Sequence, residues 1–127
     1  NNINIAMILS QSPSIEVVVT GGNLRRSDGG LVGDLATQTI RQFQFDYAVI
    51  SCSALRDTGD LMDFDIQEVG VSKTIIAHSE EVFLVADGSK FERIASMAQV
   101  DMFITDRPLS PACTRFCETA GTRVLYA

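Results

Sequence analysis

The first candidate binding residues of this chain follow a β-branched run at residues 15–20. The chain continues there as Gly21-Gly22-Asn23-Leu24-Arg25. Paired glycines expose backbone N–H groups and let a ligand approach closely, and the planar guanidinium of Arg25 matches a phosphate. The alternative is a tight turn with a surface arginine. On the motif alone this alternative is favoured, because paired glycines are common in turns.

Two further groups of candidates follow later apolar runs. Small polar groups, among them Ser51 and Ser53, come first and can hydrogen-bond to a sugar hydroxyl. A close-packed strand end explains them equally well. Asp87, Ser89 and Lys90 come next, where the lysine offers a point charge to a phosphate or carboxylate. Its alternative is an ordinary solvated lysine.

A lysine is also predicted on the apolar face of a helix. Ile66, Val69, Lys73 and Ile76 are spaced three, four and three apart, which places Lys73 within the apolar stripe. A lysine there needs a partner or a route to water. It either extends past the sheet edge to solvent or reaches an anionic ligand at the strand ends, and the sequence favours neither.

Acidic residues precede that lysine at the predicted start of the helix. Asp63, Asp65 and Glu68 are suited to capping a helix and to complementing its dipole. That structural interpretation is favoured, and Asp65 and Glu68 remain candidates for contact with a ligand.

The pattern of residues argues against metal, cofactor and nucleophile chemistry. Cys113 and Cys117 are four apart on a predicted helix, but no paired His or Cys set completes a tetrahedral site. His78 is the only histidine, and nothing places a serine on a strained elbow beside it. No Walker or dinucleotide glycine fingerprint occurs. We therefore expect no cofactor, no metal and no catalytic residues.

Alternating elements predict an α/β fold with a mostly parallel sheet. Continuous apolar strands between helices are typical of a sheet covered on both faces, and ligands then bind beyond the carboxyl ends of the strands. The predicted helices cover residues 1–11, a segment after Gly33, 66–79 and 110–119, and the predicted strands cover 15–20, 47–51, 82–86, 100–105 and 123–126.

Length and composition limit the number of domains, the cellular compartment and the classes of partner. The 127 residues suit a single domain over 1–127, and the absence of an initiator Met predicts an N-terminally truncated fragment. Three cysteines indicate a reduced, cytoplasmic protein, and no apolar run is long enough for a membrane. A net charge of −6 predicts poor DNA binding by this segment alone.

Several motifs, in order, resemble the C-terminal effector-binding domain of DeoR-family transcriptional repressors. Within that family, SDGGLVG and LMDFDIQEV are similar to the subfamily of glycerol-3-phosphate regulon repressors. The matching segments are residues 1–4, which include Asn2, 20–25 (TGGNLR), 28–33 (DGGLVG), 42–47, 59–68 (GDLMDFDIQE), 85–91 (VADGSKF) and 104–106.

The resemblance implies a Rossmann-like sensor domain with helices on both faces of the sheet, related to ribose-5-phosphate isomerase and the CoA transferases. It implies a phosphorylated sugar or glycerol 3-phosphate as effector. It also implies a helix-turn-helix domain that binds a DNA operator, and an earlier phosphate loop, neither of which is in these residues. We further expect no membrane association and a homo-oligomer, a dimer or tetramer.

The related isomerases suggest a test for catalysis. Their pattern carries acidic residues where this chain has residues 51–55, and a glutamate where it has Ser72, whereas Lys73 and Lys90 remain. Proton abstraction beside a carbonyl needs a positioned base. The resemblance therefore implies binding without turnover, and the alternative is an isomerase-like enzyme with relocated catalytic residues.

Overall fold

A computed structural model of the chain describes residues 1–52, 54–55, 60–63, 65–86 and 97–127. The described helices are α1 (Ile3–Leu9), α2 (Asp34–Ile40), α3 (Ile66–Ala77), a 3₁₀ turn (Met97–Gln99) and α4 (Pro111–Ala120). The strands are β1 (Asn23–Leu24), β2 (Leu31–Val32), β3 (Phe45–Ile50), β4 (Ala54–Leu55), β5 (Leu61–Met62), β6 (Ser79–Val85), β7 (Met102–Thr105) and β8 (Arg123–Tyr126).

The chain forms two compact units, residues 1–44 with 66–78 and residues 45–65 with 79–127. In the first unit, β1 and β2 form an antiparallel hairpin. The helices α2 and α3 contact each other, and α3 also contacts β2. The small side chains of Ala36 and Val71 are fully buried, and Ile40 is nearly so. The core of this unit therefore forms where two helices cover a short hairpin.

The second unit contains a four-stranded sheet with the order β3-β6-β7-β8. All three pairings are parallel, which confirms the predicted α/β class with a parallel sheet. Leu84 and Phe103 are fully buried on one face. On the other face of β3, Tyr47 and Val49 are 63% and 69% exposed, so this face of the edge strand is apolar without being covered by the described residues.

The prediction of a strand at residues 15–20 is wrong for the described structure, where this segment has no regular secondary structure. Its β-branched composition suits a strand, but a strand also needs a neighbour for its backbone hydrogen bonds. None of the described residues supplies one. A short antiparallel ladder pairs β4 with β5.

The predicted apolar stripe of α3 is also wrong. Ile66 is 86% exposed and Lys73 is exposed, whereas Val71 and Thr74 form the buried side of the helix. The helix α3 contacts both α2 and β2, and Val71 and Thr74 are its buried residues. The spacing of the large residues therefore did not identify the buried face.

Candidate functional site

The main cluster of charged side chains lies in the first unit, around Arg25. Its guanidinium pairs with Asp28 at two points: Nε donates to Oδ1 at 3.1 Å, and Nη2 contacts Oδ2. Nη2 also lies 3.9 Å from Oε2 of Glu68, and the Arg25 and Glu68 side chains are 21% and 19% exposed. The fold thus brings together Arg25 and Glu68, two predicted binding residues that are far apart in the sequence.

Asp28 stabilises the turn that presents Arg25. Its carboxylate accepts the Gly30 N–H at 3.0 Å, while the Arg25 N–H donates to the Gly30 carbonyl at 2.7 Å. The hydrogen bond from the Arg25 guanidinium lowers the pKa of Asp28 below its ordinary value. Asp28 therefore stays ionised at neutral pH, and main-chain and side-chain bonds together fix the position of Arg25.

Asn2 supports the same turn from the start of α1. Its Oδ1 accepts the N–H groups of Asn4 and Ile5 at 3.0 and 3.2 Å, which is an N-cap. Its Nδ2 donates to the Asp28 carbonyl at 3.0 Å, and its backbone pairs with Gly30 in an isolated bridge. Both polar atoms of the Asn2 side chain are therefore engaged in holding the loop against the helix.

The glycine pair adopts a conformation that other residues would resist. Gly21 and Gly22 have φ angles of 71° and 104°, and a Cβ on Gly22 would lie 2.5 Å from the Val32 carbonyl oxygen. Within the described residues, no hydrogen bond engages the amide N–H of either glycine. Two successive amides of this kind are suitable donors to an anionic oxygen.

Lys73 and His78 do not form part of this cluster. Lys73 is exposed on α3. The His78 Nδ1 lies 3.0 Å from the Thr74 carbonyl oxygen, and because a carbonyl only accepts, that nitrogen carries the proton. His78 therefore lies at the C-terminal end of α3, hydrogen-bonded to its own helix.

In the second unit, polar residues follow the carboxyl ends of the parallel strands. Ser51 is exposed after β3, and the Thr105 side chain at the end of β7 is 3% exposed. The Thr105 Oγ1 has no hydrogen-bond partner among the described residues. A buried hydroxyl in this state is costly, so Thr105 joins the candidates, although the sequence offers no signal that distinguishes it from a core threonine.

The start of α3 is organised by a local turn. The Asp65 N–H donates to the Asp63 carboxylate at 3.0 Å, which is a local turn immediately before the helix. Glu68 lies in the first turn of the helix. Four of the predicted binding residues, Ser53, Asp87, Ser89 and Lys90, lie outside the described residues.

Membrane-spanning helices and metal-binding clusters are both missing from the described part of the chain. Over the described ranges, no helix is long and apolar enough to cross a membrane. In the same residues, no three His, Cys, Asp or Glu side chains gather in a way that could hold a metal ion.

Comparison with known proteins identifies the family. Residues 1–107 match the family described as DeoR C terminal sensor domain. The HTH-type transcriptional repressor CsqR of Escherichia coli is 38% identical over 120 residues, 91% of this chain and 46% of that protein. The glycerol-3-phosphate regulon repressor of Escherichia coli is 37% identical over 113 residues, 85% of this chain and 45% of that protein.

A third relative agrees with these two. The glycerol-3-phosphate regulon repressor of Haemophilus influenzae is 43% identical over 95 residues, which is 75% of this chain and 37% of that protein. The chain spans less than half the length of these curated relatives. The family match covers most of the chain and confirms the resemblance found in its motifs: the chain belongs to the DeoR C-terminal sensor domain family.

Proposed function

We propose that this chain is the effector-sensing domain of a DeoR-type repressor. It binds a phosphorylated sugar or glycerol 3-phosphate and thereby controls operator binding by a separate helix-turn-helix domain. It catalyses no reaction on that ligand. The observation that carries the proposal is the cluster of Arg25, Asp28 and Glu68 within a chain of this family.

The chemistry of the cluster supports a ligand with both a phosphate and hydroxyl groups. Arg25 is oriented by Asp28, so the guanidinium is pre-organised for an anion. Glu68 beside it is an acceptor for a hydroxyl. The amides of Gly21 and Gly22 add backbone donors in the same loop region of the first unit.

The net charge supports the assignment of ligand binding to this domain and of DNA binding to a separate one. Acidic residues outnumber basic ones 16 to 10, whereas a DNA-binding surface must neutralise phosphates with Lys and Arg. The ligand shifts the repressor between states only to the extent that it binds one state more tightly. Occupancy of the sensor domain must therefore change the affinity of the DNA-binding part.

Calorimetry with glycerol 3-phosphate, fructose 6-phosphate and ribose 5-phosphate tests the proposal. The protein used is the repressor that carries this domain together with its helix-turn-helix. We expect Arg25→Ala to weaken binding of the preferred ligand about 10- to 100-fold, because a charge-assisted pair is lost. Operator affinity without ligand is expected to stay near that of the unsubstituted protein.

Arg26→Ala is the matched control, because Arg26 is the neighbouring exposed arginine and its loss removes the same charge. Equal weakening by both substitutions would reduce the effect to net charge and contradict the proposed site. Binding of none of the three ligands, with no change in operator affinity, would favour an oligomerisation domain without an effector.

An isomerase-like enzyme is the alternative from the sequence, and a coupled assay with pentose and hexose phosphates separates the two. Turnover above the uncatalysed rate would overturn the proposal. Ser51 is exposed and Cys52 is buried after β3, and neither is a carboxylate that could abstract a carbon-bound proton.

A further inference from the structure

The helix α4 carries a pair of cysteines on one face. Cys113 and Cys117 are four residues apart, and residues at this spacing are neighbours on a helix surface. Both are free thiols. The helix lies beyond residue 107, where the match to the sensor family ends, so the pair is a feature of this chain outside the matched region.

The two sulfurs differ in their surroundings. Cys113 lies in the first turn of α4 and is partly exposed, and its N–H is capped by Ser110 Oγ at 3.2 Å. Cys117 is 2% exposed. Hydrogen bonding between the two side chains lowers the pKa of Cys113 and, together with burial, raises the pKa of Cys117. One sulfur is thus open to an incoming species and the other is a protected second ligand.

The spacing suits a bridging ion better than a disulfide. Cβ atoms four residues apart on a helix are separated by about 5–6 Å, whereas a disulfide requires about 3.5–4.5 Å. A metal–thiolate bond is about 2.3 Å long for zinc, so an ion held linearly by two sulfurs at a similar distance keeps them roughly 4.6 Å apart. The helix can hold such an ion with small side-chain adjustments, but it must distort to close a disulfide.

The number of ligands selects the kind of ion. Among the described residues, no third His, Cys, Asp or Glu joins the pair, and zinc normally takes four ligands. Thiolates prefer soft ions such as Cu(I), which accept two ligands. We propose that Cys113 and Cys117 form a two-thiolate binding site for a soft monovalent cation of the Cu(I) class.

Binding involves no change of oxidation state. Cu⁺ bonds first to the accessible Cys113 sulfur and then to the Cys117 sulfur, and each thiol proton passes to solvent as its sulfur bonds to the ion. The product is a sulfur–copper–sulfur bridge with a net charge of −1 on the same helix face.

Anaerobic titration of the protein with Cu(I) against a chromophoric Cu(I) chelator tests the proposal. We expect one Cu(I) per chain, and we expect Cys113→Ser and Cys117→Ser each to weaken binding by more than the ~10-fold that loss of a supporting group costs. Cys52→Ser removes the third cysteine and is expected to bind as the unsubstituted protein does. Circular dichroism checks that the variant of the buried Cys117 folds, and the partly exposed Cys113 variant provides an independent test.

A relocation variant separates geometry from cysteine content. In Cys113→Ser combined with Arg115→Cys, the chain keeps three cysteines, but positions 115 and 117 do not face each other on a helix. We expect this variant to bind as weakly as Cys113→Ser alone. Full binding by the relocation variant, equal loss in Cys52→Ser, or one ion per two chains would each overturn the proposal.

Discussion

The Arg25 guanidinium lies 3.9 Å from the Glu68 carboxylate, joining the loop after β1 to the first turn of α3. Asp28 pairs with the same guanidinium, and Nη2 is the nitrogen that lies near both carboxylates. Arg25 is therefore the shared partner of two carboxylates from different parts of the first unit. This arrangement gives Glu68 a tertiary role in addition to its favourable position near the helix N-terminus.

A double-mutant cycle measures the coupling of this pair. We expect Arg25→Ala and Glu68→Gln to couple by about 0.5–1 kcal/mol in the free energy of unfolding, because the groups are only partly shielded from solvent. Urea unfolding of the two single variants and the double variant supplies the value. Strict additivity would mean that the contact contributes nothing to stability.

Asp28 is expected to make the free energy of unfolding decrease at acidic pH. Its pKa is lowered in the folded protein by the Arg25 hydrogen bond, so the unfolded chain binds its proton more readily. The stabilisation is present above the ordinary pKa of 3.8 and is lost as the pH falls through the folded value. Because this carboxylate is largely exposed, we expect about 0.2–1 kcal/mol.

The measurement is the free energy of unfolding between neutral pH and about pH 2.5. Asp28→Asn should reduce the loss of unfolding free energy that the unsubstituted protein shows at low pH. Asp46→Asn, at an exposed position on β3, should leave that loss nearly unchanged. An identical pH profile for Asp28→Asn and the unsubstituted protein would contradict the role given to this carboxylate.

Alanine substitutions at two glycines are expected to change the stability of the protein in opposite directions. Gly22→Ala places a Cβ 2.5 Å from the Val32 carbonyl at φ 104°, so we expect a loss of about 1–3 kcal/mol. Gly70 lies within α3, and a Cβ added there would meet no atom within 4 Å, so Gly70→Ala should add about 0.5–1 kcal/mol. Thermal unfolding of the two variants compares them directly, and stabilisation by Gly22→Ala would show that the turn is not as constrained as its φ angle indicates.

Valine substitutions at two buried threonines provide a second comparison of stability. The Thr122 hydroxyl donates to the Val100 carbonyl at 2.8 Å, so Thr122→Val should cost about 1 kcal/mol. The Thr105 hydroxyl has no partner among the described residues, so Thr105→Val should be neutral or stabilising. The free energies of unfolding of the two variants, measured in urea, test these two expectations. A loss at Thr105 as large as that at Thr122 would show that its hydroxyl is already satisfied in the folded protein.

The sequence alone determined the α/β class, the parallel strands and most helix positions, because apolar runs and helix caps are local signals. The Asn2 cap of α1 and the Ser110 cap of α4 depend only on residues a few positions away. The glycine pair was likewise identified as a tight turn from its composition. The family was determined by the order of motifs along the chain.

Tertiary structure decided which candidates meet. Arg25 and Glu68 come together only because the hairpin and α3 belong to one unit, and no local pattern encodes that contact. Packing of α3 against its tertiary neighbours α2 and β2 determines which face of the helix is buried, and Lys73 lies on the exposed face. Residues 15–20 have the composition of a strand, but a strand forms only where a neighbouring backbone completes its hydrogen bonds.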